Sequence, residues 1–363
     1  MATAVHAVAA QFFAAPAIKD IREYGTGRVN DTFLVTVAGE GACRFILQRL
    51  SSAVFAHPEW IMENLRTVCD HVMHKLAAEG NPGGWRLPFI QQSLVGEDFY
   101  RDSDGSCWRV LYFIDGCRSA VTVESPRQAR EVGLALGRFH RLISDLDPAR
   151  LHDTLPGFHI TPLYLAHYDR VAAAAAGEEH AADSRFCHDF IARRRQMVHV
   201  LEDARKEGRL LPRPIHGDPK LSNILFAVQT GRAVSLIDLD TVKPGLIQYD
   251  VGDCLRSCCN AKGEEGPLPV RFDPELCRAI LQGYAEEAGG FLTPRDYDYF
   301  YAGARLIAFE LGLRFFTDYL QGNIYFKTAS PEQNLARALV QFSLTESIEK
   351  QQREIELIIR DLT

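Results

Sequence analysis

The sequence predicts an α+β fold of two lobes, a small β-rich lobe followed by a larger, mostly helical one. Three observations carry that prediction. Alternating apolar runs separated by turn residues dominate the first third, whereas from Ser125 onward the apolar residues recur at helical spacing. Within the helical part a short hairpin returns, Ile224 to Leu239, with acidic residues just before it and at its end. A chain of 363 residues is also long for one core, and the change of pattern divides it into residues 1–114 and 115–363.

The apolar opening from Ala7 to Ala17 reads as an amphipathic helix; no Lys or Arg precedes Lys19, which argues against a secretory leader. Tyr24 to Asn30, with Gly25 and Gly27, is turn-rich and runs into the alternating strand Thr32 to Val37. Gly39-Glu40-Gly41 makes a hairpin turn, and Cys43 to Leu50 is the return strand. Pro58, tolerated in a first turn, opens a helix that continues to about Ala78. Gly80 to Pro88 is a loop. Phe89 to Leu94 and Trp108 to Ile114 are strands, with Asp102-Ser103-Asp104-Gly105 as the turn between them. Gln128 to Leu142 places Val132, Leu136, Phe139 and Leu142 on one helical face. Ala172 to Ala176 extends a helix or marks a surface insertion, and Phe186 to Lys206 is one helix. Ile224 to Val228 and Ala233 to Leu239 are strands about a turn at 229–232, and everything after Pro274 is helical.

Hydrophobic residues make up 47% of the chain and charged residues 24%, the balance of a globular protein without long disordered segments. A net charge of −7 argues against nucleic acid as the partner, so Arg193-Arg194-Arg195 reads as a solvated helix face. No run approaches the roughly 18 apolar residues that span a bilayer. The nine cysteines include no Cys-x-x-Cys pair, and no histidine beside Cys254, Cys258 and Cys259 completes a zinc site. Buried reduced thiols in a cytoplasmic protein are expected.

The most informative segment is His216-Gly217-Asp218-Pro219-Lys220-Leu221-Ser222-Asn223, followed fifteen residues after Asn223 by the first Asp of Ile237-Asp238-Leu239-Asp240. An Asp, four residues and an Asn is the spacing of a kinase catalytic loop, in which the Asp takes the proton of the attacking hydroxyl and the Asn holds magnesium. A second Asp at the end of the next strand supplies the other metal ligand, because magnesium takes few oxygen ligands from protein and the rest from phosphates and water. Phosphoryl transfer needs this set because its transition state spreads charge over several oxygens. Asp218 is therefore the expected general base, Asn223 and Asp238 the magnesium ligands, and His216 a residue that pins the loop. Asp240, two residues beyond Asp238 on the same strand face, either reaches the metal or fixes the loop.

His-Gly-Asp-x4-Asn with a following Ile-Asp resembles the aminoglycoside phosphotransferase and choline kinase superfamily, which has a bilobal protein-kinase-like fold. Ile237 to Leu246, Tyr249 to Asp253 and Arg256 are similar to the N-acetylhexosamine 1-kinases. So are Gly27 to Phe33, Phe45 to Leu50, Trp108-Arg109-Val110, Ala304-Arg305-Leu306, and Leu313-Arg314-Phe315 through Lys327. The likeness spans nearly the full length. It implies a nucleotide-binding first lobe, a catalytic and acceptor-binding second lobe, and ATP with magnesium.

The resemblance also implies roles for single residues. Gly25 and Gly27 fall where this fold covers the nucleotide phosphates. Tyr112 to Gly116, including Ile114, becomes the inter-lobe hinge that binds adenine through backbone groups. The third-strand position that usually carries a phosphate-binding Lys is Gln48; its neighbour Arg49 faces the other way unless the strand bulges. Lys220 then carries more of the phosphate electrostatics, and Glu63 on the following helix partners the third strand. Asp31 offers a polar contact from the rim. Asp250, Arg305 and Arg314 are candidates on the acceptor side, while Glu310, Arg314 and Asp318 at i, i+4, i+8 predict an internal salt ladder.

The expected activity is ATP- and magnesium-dependent phosphorylation of a small molecule, foremost at the anomeric hydroxyl of an N-acetylhexosamine. Aminoglycosides, choline, ethanolamine, homoserine and methylthioribose are the alternative acceptors. Gln48 alone supports a non-catalytic pseudokinase, against which stand Asp218, Asn223 and Asp238. No Asp-Phe-Gly or Ala-Pro-Glu segment follows Asp238, which argues against a protein kinase.

Overall fold

Helix α1 (Ala2–Ala9) lies against a six-stranded antiparallel sheet that the first lobe builds from β1 (Ile18–Glu23), β2 (Asp31–Val37), β3 (Cys43–Leu50), β4 (Ile90–Gln91), β5 (Tyr100–Arg101) and β6 (Cys107–Tyr112), in the order β1-β2-β3-β6-β4 with β5 also on β6. The structure is a computed structural model and describes residues 2–25, 29–39, 43–81, 83–174 and 182–362. Side-chain alternation sorts the two faces of the sheet. Phe33, Val35, Phe45, Leu47, Trp108 and Val110 pack with Val5, Val8 and Phe12 on the α1 side. Thr32, Gln48 and Arg109 stand in one cross-strand row on the opposite face, since the β2–β3 and β3–β6 registers run unbroken. β1, which the sequence pattern does not reveal, is an edge strand with only Ile18 and Ile21 half-buried. The strand expected over Phe89 to Leu94 shortens to β4. The hairpin turn expected at Gly39-Glu40-Gly41 lies largely outside the described residues.

Helix α2 (Pro58–Glu79) starts on Pro58, ends on left-handed Gly80, and buries Ile61, Leu65, Val68 and Val72. After β6 the chain crosses to the second lobe, where β7 (Cys117–Arg118) pairs with β9 (Ile224–Ala227). That lobe contains α3 (Pro126–Ile143), α4 (Thr161–Ala174), α5 (Ala182–Ala192), α6 (Val200–Lys206), β8 (Arg213–Ile215), β10 (Ala233–Leu236), β11 (Lys243–Gly245), α7 (Ile247–Cys258), α8 (Pro274–Ala288), α9 (Pro294–Asp298), α10 (Phe300–Leu320), α11 (Gln333–Lys350) and α12 (Gln352–Arg360). β9 and β10 form the expected hairpin. Phe186 to Lys206 is not one helix: a 3-10 turn at Arg195–His199 separates α5 from α6. The break lets Arg194 reach Glu349 of α11 at 2.6–3.2 Å while Val198 and Leu201 stay in the core.

Helices α7 and α10 touch through glycines. A Cβ on Gly252 would lie 2.6 Å from the carbonyl oxygen of Gly303, so the close approach requires both residues as they are. That contact brings Asp250 and Glu310 under the loop that follows β8. All nine cysteines are free, most of them buried. No helix among the described residues is long and apolar enough to cross a membrane.

Candidate active site

The loop between β8 and β9 is held from below by buried charge. At Gly217 the backbone turns left-handed (φ 87), and a Cβ there would come within 2.6 Å of the Thr241 carbonyl oxygen. The His216 and Gly217 amides donate to the Asp250 carboxylate at 2.6 and 2.8 Å, and His140 Nε2 adds a third bond at 2.8 Å. Burial pushes the Asp250 carboxyl up, but the His140 contact and the His216 amide outweigh it and hold the group below the usual carboxylate range. Asp250 is thus a support of the loop. With no exposed surface it has no face to offer an acceptor, contrary to the substrate role expected for it.

From the other side, His159 Nε2 meets the Gly217 carbonyl at 2.7 Å and its Nδ1 meets Glu310 at 3.0 Å. Burial disfavours the imidazolium, yet the Glu310 charge raises the pKa, so both ring nitrogens donate. The salt ladder does not form. Glu310 also accepts from Thr161 at 2.7 Å, while Asp318 accepts the Ile324, Tyr325 and Phe326 amides at 2.8–3.0 Å. His216 behaves as the expected pin: Nδ1 accepts from the Asp218 amide at 3.2 Å and Nε2 donates to the Ile237 carbonyl at 3.0 Å. Burial lowers its pKa, which suits a neutral ring with one donor and one acceptor.

In front of this support lie Asp218, Lys220, Asn223 and Asp238. Asn223 Nδ2 donates to the Asp218 carbonyl at 2.8 Å, which leaves Oδ1 without a partner among the described residues. The Ile237 amide donates to the Asn223 carbonyl at 2.8 Å, tying the approach to Asp238 to the loop. Lys220 Nζ bonds the Asp218 carboxylate; burial works against the ammonium, but Asp218 and Asp238 raise its pKa and keep it charged. Asp238 adopts a left-handed backbone (φ 67, ψ 56), which Asp tolerates better than most residues. Its carboxylate is reached by water and makes no hydrogen bond or salt bridge among the described residues, although the Lys220 and Arg109 charges act on it. Lost hydration in the recess, with the nearby Asp240 and Asp218 charges, pushes it up to about 6.

The left-handed residue ends the strand, so Asp238 and Asp240 do not share a face. Asp240, 3% exposed, accepts from Arg109 Nη2 at 2.5 Å and from Asn30 Nδ2 at 2.8 Å. It therefore fixes the loop to the first lobe. Asn223 Oδ1 and the Asp238 carboxylate remain as two hard oxygen donors beside Asp218. No group of three His, Cys, Asp or Glu that could hold a metal occurs among the described residues. The pair fits a cation that takes most of its ligands from phosphates and water, as magnesium does.

The structure separates several other expected residues from this centre. Arg49 and Asp31 lie on the outer, α1-side face of the sheet and bond each other at 2.9 Å, with Arg49 over the Trp108 ring, because β3 carries no bulge. Glu63 is exposed and bonds His152 at 2.7 Å; the buried neighbour Asn64 instead bonds the His152 and Val242 carbonyls at 2.9 Å. Arg305 bonds Glu349 at 2.9 Å and lines a groove of about 710 Å³ with Arg193, Arg194, Tyr299 and Tyr301. It stands nine residues from Arg314, half a turn out of phase, so the two project from opposite sides of α10.

Others do converge. Gly25 (φ 78) turns the chain ahead of β2, and Gly27 lies outside the described residues. Tyr112 ends β6 with its amide bonded to the Phe89 carbonyl at 2.9 Å, whereas the Ile114 amide has no partner among the described residues. Arg314 is ringed by Phe158, Tyr164, Phe326 and Tyr325, with centroids 5.0, 5.0, 5.5 and 6.0 Å from its guanidinium carbon. It has no hydrogen-bond acceptor among the described residues, and Asp218 lies within its electrostatic reach. Sequence reasoning missed His159, Asn64 and Arg109 as site residues. Only Arg109 carries a visible signal, a charge at an inward position of an otherwise apolar strand.

Comparison with known proteins identifies the family and the fold. A family described as the phosphotransferase enzyme family matches residues 20–290, well over half of the chain. An aminoglycoside phosphotransferase from Alicyclobacillus acidocaldarius superposes with a TM-score of 0.65 at 17% identity, over 98% of this chain and 95% of that one. A choline kinase from Cryptosporidium parvum gives 0.59 at 14% identity, over 99% and 98%. An ethanolamine kinase from Plasmodium vivax gives 0.57 at 12% identity, over 93% and 85%. At these identities the structural likeness speaks for the fold, and together with the family match it shows that the chain belongs to the phosphotransferase enzyme family, kinases that act on hydroxyl acceptors.

Proposed function

We propose that this protein is an ATP- and magnesium-dependent kinase whose acceptor is a neutral, hydroxyl-rich ring, specifically the anomeric hydroxyl of an N-acetylhexosamine. The observation that carries the acceptor class is Arg314. A quaternary or primary ammonium would need an aromatic cage or a carboxylate, and here the four-ring cage beside Asp218 is already filled by the protein's own guanidinium. Choline, ethanolamine and aminoglycosides would meet like charge. A sugar ring instead accepts hydrogen bonds from the guanidinium through its hydroxyl and acetamido oxygens.

In this reading Asp218 orients the acceptor hydroxyl and takes its proton as the new O–P bond forms and the bond to the departing ADP oxygen breaks. The anomeric hydroxyl is the more acidic one because the ring oxygen stabilises its oxyanion inductively, so an ordinary carboxylate suffices. Asn223 Oδ1 and Asp238 would hold magnesium, which supplies charge neutralisation on the phosphates. Lys220 adds a fixed positive charge next to Asp218, and Ile114 offers its amide to the adenine. Residues 1–114 serve as the nucleotide-binding lobe and 115–363 as the catalytic and acceptor lobe.

The test is an ATP-consumption screen over N-acetylglucosamine, N-acetylgalactosamine, choline, ethanolamine and aminoglycosides. The N-acetylhexosamines should be the best acceptors, their product should release phosphate in mild acid, and their 1-O-methyl glycosides should be inert. An acid-stable product, or preference for a cationic acceptor, would overturn the acceptor assignment and leave the kinase standing.

A further inference from the structure

Gln48 stands where kinases of this fold usually keep a phosphate-binding lysine, and it is not idle. Directly across the β3–β6 register is Arg109, 2% exposed, whose Nε and Nη2 both donate to Gln48 Oε1 at 3.0 and 2.8 Å. Gln48 Nε2 donates to Thr32 Oγ1 at 3.1 Å, which fixes the amide so that its oxygen faces the guanidinium. Arg109 Nη2 also reaches Asp240 of the metal loop at 2.5 Å, and Asp240 is held from its other side by Asn30 at 2.8 Å. One edge is left over. Nη1 has no hydrogen-bond partner among the described residues and is not sealed from solvent.

We propose that Arg109 is the phosphate-contacting cation of the first lobe, moved from the third strand to its neighbour, with Gln48 as its positioning residue and Asp240 as its counter-ion. The inference rests on the kinase reading above but not on the identity of the acceptor. It explains three things together. The expected partner on α2, Glu63, is turned outward to His152, because the counter-charge now comes from the metal loop. Position 48 is neutral, because a lysine there would face the arginine across the strands, and like charges directly opposite destabilise a sheet. The free Nη1 edge belongs to a guanidinium already anchored to the loop that carries Asp238, since Nη2 is bonded to Asp240 two residues on. A planar guanidinium suits the arrangement, since two of its nitrogens are bound by protein while the third keeps a fixed direction toward a phosphate oxygen.

The test compares Arg109→Gln, Gln48→Lys and the double variant Gln48→Lys/Arg109→Gln, which returns the cation to the third strand. Binding is read by calorimetry with magnesium-ADP and, separately, with adenosine, and folding is checked by circular dichroism. Loss of one charge-assisted phosphate contact should weaken ADP binding by Arg109→Gln roughly ten- to hundredfold and leave adenosine binding within about twofold. Gln48→Lys alone should bind ADP no better than wild type, and the double variant should recover at least about tenfold over Arg109→Gln. Arg109→Lys keeps the charge without the fork and should fall between wild type and Arg109→Gln, which guards against a glutamine variant that fails to fold. Equal ADP affinity in wild type and folded Arg109→Gln, equal losses for ADP and adenosine, or a folded double variant that recovers nothing would each overturn the proposal alone. A wild-type protein that binds no magnesium-ADP would instead overturn the kinase reading and this inference with it.

Discussion

The carboxylates beneath the loop between β8 and β9 and those in front of it crowd around one short segment but meet opposite surroundings. Asp250, beneath, has three donors within 2.8 Å and no exposed surface. Asp238, in front, makes no hydrogen bond or salt bridge among the described residues and has a carboxyl pushed up to about 6. Glu310 repeats the first condition with His159 and Thr161. The difference separates scaffold from chemistry. A buried carboxylate with all its bonds made inside the protein is fixed in place. A carboxylate that makes no bond inside the protein and meets water is open to a ligand.

The largest expected effect breaks the contrast at its two ends. Asp218→Asn should fold and bind nucleotide normally while turnover falls by about 10²- to 10⁴-fold, the worth of a positioned base, as read in a coupled ADP-release assay. Asp250→Ala should do the reverse first. Its loss strips two buried amides and His140 of their acceptor, so urea unfolding should show destabilisation of about 3–5 kcal/mol. A folded Asp250→Ala with unchanged stability and a raised acceptor KM would return Asp250 to the acceptor side.

A smaller effect divides the two arginines of α10. Arg314→Ala should raise the acceptor KM roughly ten- to hundredfold with little change in the KM for ATP, and Arg314→Lys should not rescue it, because a lysine cannot reproduce the stacked fork. Arg305→Ala, on the far side of the helix, should change either constant by less than about twofold. Parallel effects in both variants would contradict the opposed faces.

The smallest effect is on the metal-free protein and sharpens the cost carried by Asp238. A carboxyl raised from 3.8 to about 6 binds more protons folded than unfolded in between, so its contribution to stability is present below pH 3.8 and is lost as the pH rises through 6. Asp238→Asn should therefore melt at a higher temperature than wild type above pH 6, with the gap closing toward pH 4. The same variant should no longer be stabilised by magnesium-ADP. A variant that melts lower than wild type at pH 8 without ligand would show that Asp238 supports the fold.

Much of this centre was legible from local pattern. Asp218, Asn223 and Asp238 sit on a loop and a hairpin of two short, mostly apolar strands, so spacing alone predicted their company. Arg49 was expected to face away from Gln48, and the unbroken β3 register puts it on the outer face. The misses share a cause. β1 is an edge strand without alternation, Phe186 to Lys206 is broken where Arg194 meets Glu349 of α11, and Glu63 and Arg305 point away from a site that sequence distance cannot locate.

By itself the sequence determined the lobes, the loop and the company of its three polar residues, because strand alternation, helical period and short-range spacing are properties of neighbours along the chain. Tertiary structure alone decided which charges are spent inside and which stay free. Asp240 and Asp238 are two residues apart, yet one left-handed backbone step turns the first onto Arg109, 131 residues away, and the second toward the cleft. Hydration lost in burial and partners brought from distant strands set those outcomes, and neither quantity exists until the lobes have packed.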